Sequence, residues 1–243
     1  MTSIEALFFD VGGTLVEVSP SVGQVYADAC LRLGDTVDPK EVQRAFDAAW
    51  VSLSAEVPPG ADRYRLFDGG ERAWWERISA HAFDLCGVSP AHRPAVDDLR
   101  AWFARAEAWR VYAEVEEVLD DLRGRGVRMG VISNWDSRLP ALLGTLGLAE
   151  RFEVVVHSAE AGWEKPHPEI FIAGLQAMDV PAEKAAHIGD RFEEDYAGAT
   201  AAGLRAVLLE RDATSWRGGG ASPLVPREDR VADLRAAVRR LLG

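Results

Sequence analysis

The spacing of apolar positions changes twice along the chain. Leu7–Phe9 form a short apolar run, typical of a strand buried on both faces, and the run stops at Asp10. Residues 20–110 then repeat apolar residues at helical spacing, and this pattern predicts helices and no strand. From residue 112 onward, short apolar runs alternate with helical stretches. The pattern therefore predicts one strand, then a long helical segment, then a regular alternation of strands and helices.

The alternation after residue 112 predicts most of a parallel sheet, because strands joined by helices in this way lie parallel, with helices on both faces. The expected strands are Val127–Ile132, Val154–Val156, Ala185–Ile188 and Ala206–Leu209. The expected helices cover 115–122, 139–146, 170–178, 195–202 and 231–242, and the run Gly218–Gly220 with Pro223 and Pro226 predicts a loop.

The fold class that follows is α/β, with the helical segment inserted after the first strand. Residues 1–16 and 112–243 are expected to form the core domain around the parallel sheet. Residues 17–111 are expected to form a second, all-helical domain between the first strand and the rest of its sheet.

Composition and charge exclude several classes of partner. Of 243 residues, 48% are apolar and 27% are charged, which is ordinary for a soluble globular protein. The net charge of −12 argues against nucleic acid or an anionic membrane as the partner, since both require a basic face. No apolar run approaches the roughly 18 residues of a membrane span, and no signal peptide is evident, so we expect a cytoplasmic protein. Cys30 and Cys86 are expected to be reduced packing residues.

Four polar side chains come after predicted strands. Asp10, Ser133 and Asp190 each follow a strand directly, and Lys165 lies beyond a fourth strand. The carboxyl ends of parallel strands meet at one edge of the sheet, so these four groups are expected to converge in one crevice. Each has an ordinary structural alternative when it is taken alone. Asp10 and Ser133 are residue types common in turns or at helix caps, and Lys165 could be a surface lysine. Asp190 could belong to an acidic helix N-terminus, where negative charge interacts favourably with the helix dipole.

The chemistry of the four groups is complementary. Asp10 and Asp190 supply hard oxygen ligands of the kind that Mg²⁺ takes from one or two carboxylates. Lys165 and Ser133 can hold a phosphoryl group by charge and by a hydroxyl donor. A carboxylate that attacks phosphorus forms an aspartyl-phosphate. The backbone N–H groups of the glycine loop after Asp10 would help to balance the negative charge.

The order of these groups resembles the haloacid dehalogenase (HAD) superfamily over nearly the whole chain. FFDVGGTLV resembles its first motif, Ser133 its second, Lys165-Pro166 its third, and HIGDRFEEDYAGATAAG its fourth, which is the most specific of the four. The flanking stretches VISNWDSRL, GWEKPHPEIF and HIGDRFEEDY resemble most the subgroup called HAD-like hydrolase domain-containing protein three.

The resemblance implies a Rossmann-like core, a helical cap inserted after the first motif, and Mg²⁺ as cofactor. It implies that Asp10 is the nucleophile and that Ser133 and Lys165 share the catalytic work with it. The residues expected to bind phosphate or substrate are Gly13, Thr14, Ser133, Asn134 and Lys165. Those expected to build the metal site are Asp10, the backbone carbonyl of Gly12, Asp190 and Asp195, the last as a ligand or as support for the ligands.

The chain departs from the family pattern at Gly12. Phosphatases of the superfamily carry a second aspartate there, which protonates the leaving group and then activates water. A glycine can still offer its carbonyl to a metal, but the loss of a general acid/base costs roughly 10²–10⁴ in rate. Glu17 or Asp136 could substitute for this acid, a guess that rests only on closeness in sequence.

The leading hypothesis is a Mg²⁺-dependent phosphohydrolase acting on a small phosphorylated metabolite, with low or specialised activity. One alternative is a catalytically idle protein that keeps the fold and binds a ligand. The other is a metal-independent 2-haloacid dehalogenase, in which Asp10 would attack carbon; two aspartates that resemble a metal site argue against it. Neither the substrate nor the choice between monomer and homodimer follows from the sequence.

Overall fold

The structure is a computed structural model that describes residues 3–211 and 224–243. The strands are β1 (Ala6–Phe9), β2 (Val16–Val18), β3 (Trp109–Val111), β4 (Arg128–Ser133), β5 (Val154–His157), β6 (Ala185–Gly189), β7 (Arg205–Leu209) and β8 (Arg230–Val231). Six of them form a sheet in the order β5-β4-β1-β6-β7-β8, with parallel pairing throughout, and β2 pairs with β3 in a separate sheet. The predicted α/β class with a parallel sheet is confirmed.

The helices connect these strands. They are α1 (Val22–Arg32), α2 (Pro39–Ser54), α3 (Gly70–Leu85), α4 (Val96–Trp102), α5 (Val115–Gly124), α6 (Leu139–Thr145), α7 (Ser158–Ala161), α8 (Pro168–Ala177), α9 (Gly198–Ala201) and α10 (Leu234–Leu242). None of the helices in the described part of the chain is long and apolar enough to cross a membrane.

The chain divides into two compact units. The core unit comprises Met1–Glu17, Pro59–Ala61 and Val111–Gly243, and the helical unit comprises Val18–Pro58 and Asp62–Arg110. The short segment Pro59–Ala61 belongs to the core unit although the chain around it is helical. Its backbone explains this, since Gly60 O accepts a hydrogen bond of 3.0 Å from Glu164 N and Ala61 forms a β-bridge with Trp163.

The centre of the core unit is β1, whose four residues are completely buried between β4 and β6. Side chains alternate along a strand, so Phe8 points to one face of the sheet and Phe9 to the other. Phe8 packs with Ile132 of β4 and with Phe171 of α8 in one apolar cluster. This double-sided burial is why the first apolar run of the sequence is continuous rather than alternating.

The helical unit is organised around aromatic side chains. The ring centroid of Tyr26 lies 5.3 Å from that of Phe83 and 5.7 Å from that of Phe46. Arg63 is buried, with its guanidinium carbon 4.6 Å from the ring centroid of Trp50 and 5.1 Å from that of Trp74. These contacts between large rings join α1, α2 and α3. They involve the apolar positions that recur at helical spacing in the sequence.

Cys30 and Cys86 are free thiols, as expected, and burial raises the pKa of Cys30 to about 11.

The prediction of no strand in residues 20–110 is wrong, because β3 begins at Trp109. A strand of three residues is too short to show a periodic pattern in the sequence. The last helix begins at Leu234 rather than at residue 231, because the Asp233 side chain caps it by accepting a hydrogen bond of 2.7 Å from Ala236 N. The predicted loop at Gly218–Gly220 and Pro223 lies outside the described residues.

The packing around β4 yields a stability prediction. A Cβ atom at Gly130 would lie 2.7 Å from Met178 Cε and 2.8 Å from Phe8 Cδ1. We expect Gly130→Ala to lower the free energy of unfolding by about 1–3 kcal/mol, because an extra methyl group overpacks the core. The matched control is Gly144→Ala, in a helix with nothing within 4 Å, where alanine is expected to be neutral or stabilising. Equal denaturant midpoints for the two variants would contradict this packing.

Candidate active site

Three of the predicted site residues lie at the carboxyl ends of adjacent strands. Asp10 follows β1, Ser133 is the last residue of β4, and Asp190 follows β6. Since β4, β1 and β6 are neighbours and parallel, their ends meet at one edge of the sheet. Lys165 reaches the same place from the segment between α7 and α8, and the predicted convergence of the four groups is observed.

The carboxylate of Asp10 is held by two donors on the same oxygen. Ser133 Oγ donates a hydrogen bond of 2.8 Å to Asp10 Oδ1, and Lys165 Nζ donates one of 2.7 Å to that atom. The backbone N–H of Asp10 donates to Ile188 O at 2.9 Å, which anchors the residue to β6. Asp10 Oδ2 receives neither side-chain donor, so the two oxygens of this buried carboxylate have different surroundings.

Lys165 joins two carboxylates. Its Nζ lies 2.7 Å from Asp10 Oδ1 and 2.5 Å from Asp195 Oδ1, and 3% of the residue is exposed. Burial alone would lower the pKa of Lys165, but the charges of Asp10 and Asp195 outweigh it and raise that pKa above its ordinary value. Lys165 is therefore a fixed ammonium group inside the site.

The backbone of Lys165 is held by Asn134. Asn134 Nδ2 donates to Lys165 O at 2.9 Å, and Lys165 N donates to Asn134 Oδ1 at 2.7 Å. This reciprocal pair links the loop after β4 to the loop that carries the lysine. The role of Asn134 in binding phosphate or substrate stays a prediction. In the structure its amide group positions the backbone of Lys165.

Asp195 is presented by an irregular helix. The sequence predicts an α-helix over 195–202, but Phe192–Ala197 are π-helical and α9 begins at Gly198, so that boundary is wrong. The wider turn is typical of functional sites, and here it carries Asp195 back toward the end of β6. A Cβ atom at Gly189 would lie 2.1 Å from Asp195 Cγ, so a glycine is required there.

Both oxygens of Asp195 are occupied by hydrogen-bond donors. Oδ1 lies 2.5 Å from Lys165 Nζ and 2.9 Å from His187 Nε2, and Oδ2 accepts a hydrogen bond of 2.9 Å from Arg191 N. Burial would raise the pKa of Asp195, but Lys165 and His187 outweigh it and lower that pKa below its ordinary value. Sequence reasoning missed His187, although a polar residue inside an apolar parallel strand is a usable signal.

Asp190 is a buried carboxylate with an unsatisfied oxygen. Its Oδ1 has no hydrogen-bond partner in the described part of the chain. Burial, followed by repulsion from Asp10 and Asp195, raises the pKa of Asp190 well above its ordinary value. Gly13 has a φ of +82°, and a Cβ atom there would lie 2.4 Å from Asp190 Oδ2, so this glycine makes room for the carboxylate.

The three aspartates fit a divalent cation. One oxygen from each of Asp10, Asp190 and Asp195 lies within 4.8 Å of the others. A buried group of carboxylate oxygens with one unpartnered atom has the charge and the hard ligand chemistry that suit Mg²⁺. Lys165 forms its ion pairs with Asp10 and Asp195 rather than with Asp190.

The loop after Asp10 is fixed by an arginine that sequence reasoning missed. Arg211, which comes two residues after β7, donates from Nη2 to Thr14 O at 2.8 Å and forms an ion pair of 2.7 Å with Glu114. Its guanidinium lies 3.8 Å from the ring centroid of Tyr112. Thr14 is buried, and its Oγ1 has no hydrogen-bond partner among the residues that the structure describes. Gly12 lies in the same loop and forms a β-bridge with Val16.

The two guessed replacements for the missing acid have different surroundings. Asp136 is completely buried and accepts hydrogen bonds of 3.1 Å from Arg138 N and 2.9 Å from Arg138 Nε. Its carboxylate is thus already engaged by a neighbouring cation. Glu17 is buried in the core unit. That Glu17 or Asp136 replaces the missing acid/base stays a prediction.

Comparison with known proteins identifies the family. The family model of haloacid dehalogenase-like hydrolases matches residues 4–203. The chain is 35% identical over 209 residues to haloacid dehalogenase-like hydrolase domain-containing protein 3 of Homo sapiens, with 85% of this chain and 82% of that protein covered. The chain therefore belongs to the haloacid dehalogenase-like hydrolase family, and the predicted resemblance and the hydrolase class are confirmed.

Two further comparisons concern one relative in sequence and one in fold. The chain is 33% identical over 196 residues to a phosphoserine phosphatase of Thermus thermophilus, with 79% of this chain and 72% of that protein covered. The crystal structure of the L-2-haloacid dehalogenase RSc1362 matches with a TM-score of 0.71 at 20% identity, with both chains covered completely. The second likeness concerns the fold alone.

The buried charge of Lys165 yields a stability prediction. We expect Lys165→Met to lower the free energy of unfolding by about 3–5 kcal/mol in metal-free buffer, because the neighbouring carboxylates lose their cation. The control is Lys184→Met, which breaks an exposed pair of 2.8 Å with Glu5 and is expected to change the free energy of unfolding far less. Equal losses in denaturant unfolding would show that the Lys165 pair is no stronger than a surface contact.

Proposed function

We propose that this protein is a Mg²⁺-dependent phosphohydrolase in which Asp10 is the nucleophile. The observation that carries the proposal is the asymmetry of the Asp10 carboxylate. Ser133 and Lys165 both bind Oδ1, so that oxygen is fixed, and Oδ2 is the oxygen that can attack. A carboxylate oriented by a cation and a hydroxyl at the end of a strand suits nucleophilic attack on phosphorus.

The proposed reaction has two steps. In the first, Asp10 Oδ2 forms a bond to phosphorus while the bond from phosphorus to the leaving oxygen breaks, and the leaving group later takes a proton from solvent. In the second, water attacks the phosphorus of the aspartyl-phosphate, releases inorganic phosphate and restores the carboxylate. Lys165 and Ser133 remain within reach of the phosphoryl oxygens and offset their charge.

Mg²⁺ would be held by Asp10 and Asp190, together with the backbone carbonyl of Gly12. When bound, Mg²⁺ supplies positive charge that lets a phosphate dianion approach these carboxylates. We assign Asp195 to support of the site rather than to direct ligation, because its oxygens already accept from Lys165, His187 and Arg191 N. Gly13, Thr14 and Asn134 would lie next to the phosphoryl group. The backbone N–H groups of Gly13 and Thr14 donate to Val16 O at 2.8 Å and to Val11 O at 3.3 Å, so we assign them no hydrogen bond to phosphate.

The substrate class follows from the missing acid. With glycine at position 12, the leaving group must depart without a proton from that side chain. Acyl and aryl phosphates have leaving groups that need little protonation. The leaving groups of alkyl phosphates, such as sugar phosphates, need a proton to depart. We therefore expect small phosphorylated substrates with good leaving groups. The phosphoserine phosphatase relative supports phosphate-ester chemistry, and we infer no specific metabolite from it.

The helical unit is proposed to act as a cap that selects the substrate. It is a separate compact unit whose helices follow the first site motif in the chain. An inserted unit of this kind can vary its contacts without disturbing the strand ends that carry the chemistry. We therefore expect substrate choice to depend on the helical unit and the reaction to depend on the core unit.

Gly12 also favours one alternative to catalysis, in which the protein keeps the site and binds a ligand without converting it.

The direct test measures phosphate release from acetyl phosphate and from an aryl phosphate, with and without Mg²⁺. We expect Mg²⁺-dependent turnover that falls to background in Asp10→Asn and stays unchanged in Asp98→Asn, an exposed surface carboxylate. No turnover in the wild type would favour the idle protein, and halide release from a 2-haloacid in the presence of chelator would favour the dehalogenase.

The role of position 12 can be measured separately. We expect Gly12→Asp to raise turnover of a sugar phosphate by roughly 10²–10⁴, because a general acid restores protonation of a poor leaving group. The same variant should change turnover of an aryl phosphate far less. Equal effects on both substrates would contradict the argument from the leaving group.

A further inference from the structure

A histidine lies where the core would otherwise be apolar. His187 is in the middle of β6, next to Phe8 of β1 in the sheet register, and it is completely buried. Its ring stands edge-on to Phe171 at a centroid distance of 5.4 Å. An imidazole in such surroundings costs free energy unless it is hydrogen-bonded, and among the described residues one side chain provides that hydrogen bond.

That contact is made to Asp195. His187 Nε2 lies 2.9 Å from Asp195 Oδ1, the same oxygen that accepts from Lys165 Nζ. A carboxylate paired with an ammonium group is ionised and can only accept, so His187 Nε2 must carry the proton. His187 Nδ1 has no hydrogen-bond partner within residues 3–211 and 224–243, as expected for the unprotonated nitrogen of a neutral ring.

We propose that His187 is a positioning residue, which fixes the Asp195 carboxylate so that Lys165 Nζ is held against Asp10 Oδ1. The inference rests on the proposed function of Asp10 and extends it by one residue in the chain of contacts. His187 does not touch Asp10 directly. It acts through Asp195 and Lys165, each joined to the next by a hydrogen bond of 2.9 Å or less.

The geometry explains why Asp195 needs this donor. Arg191 N holds Oδ2, and without His187 the other oxygen would have Lys165 alone. The carboxylate could then turn about its Cβ–Cγ bond and carry Lys165 Nζ away from Asp10 Oδ1. For partners that orient the ligands of a metal site, such a loss typically costs 10–100-fold in metal affinity or activity, and we expect a loss of that order here.

The kinetic test compares three variants. His187→Phe keeps a flat ring against Phe171 and removes the donor, and we expect kcat for an aryl phosphate to fall about 10–100-fold with little change in KM. His187→Gln keeps an N–H donor of similar reach and should recover most of that loss. The matched control is His157→Phe, which removes another buried histidine of the same sheet, one whose Nε2 lies 3.4 Å from the exposed Glu160.

A merely structural histidine predicts other results. His187→Phe would then lower the melting temperature and leave kcat per folded molecule unchanged, as His157→Phe should. A second test is non-additivity: in an Asp195→Asn background, His187→Phe should have little further effect on kcat, because the carboxylate that it positions is gone. Full additivity of the two substitutions would overturn the proposal.

A spectroscopic measurement on the metal-free protein is independent of activity. Long-range ¹H–¹⁵N correlation of the imidazole nitrogens should show His187 neutral, with the proton on Nε2. A proton on Nδ1 would overturn the proposal, since Asp195 would then receive no donor from this ring. If the wild type hydrolyses no phosphate, the proposed function fails, while this measurement still decides whether His187 donates to Asp195.

Discussion

The ammonium group of Lys165, buried between Asp10 and Asp195, is the interaction on which the site depends. A buried charge is tolerated only when its partners are close, and here both carboxylate oxygens lie within 2.7 Å of Nζ. The partners come from distant parts of the chain, one after β1 and one from the π-helical segment beyond β6. The strand order that places β1 next to β6 is thus a condition for neutralising the lysine.

One lysine does not neutralise the whole cluster. Asp10, Asp190 and Asp195 lie together, and Oδ1 of Asp190 has no hydrogen-bond partner among the described residues. Close backbone approach makes this crowding of carboxylates sterically possible, since Gly13 and Gly189 leave the space that Asp190 and Asp195 fill. The protein therefore maintains a cluster of buried carboxylates that a divalent cation would stabilise, at a cost in stability that the surrounding sheet must offset.

The positions of Asp10, Ser133 and Asp190 could be predicted from the sequence because a general rule applies to them: polar residues at the ends of parallel strands meet at one edge. Lys165 could be grouped with them by order along the chain, but its bridging of two carboxylates depends on the fold of the loop before α8. His187 and Arg211 were not predicted. Their partners, Asp195 and Thr14, are chosen by three-dimensional packing, which leaves no spacing in the sequence. The π-helical turn before α9 was missed for a related reason, since a single wide turn has no period of its own.

The proposed reaction depends on Asp10 being a nucleophile whose reactive oxygen is Oδ2. A crystal structure of the protein soaked with beryllium fluoride and Mg²⁺ would identify that oxygen, because beryllium fluoride mimics a phosphoryl group on a carboxylate. We expect an adduct on Asp10 Oδ2, with Ser133 and Lys165 still next to Asp10. An adduct on another residue, or an unmodified Asp10 at saturating beryllium fluoride, would contradict the proposed reaction.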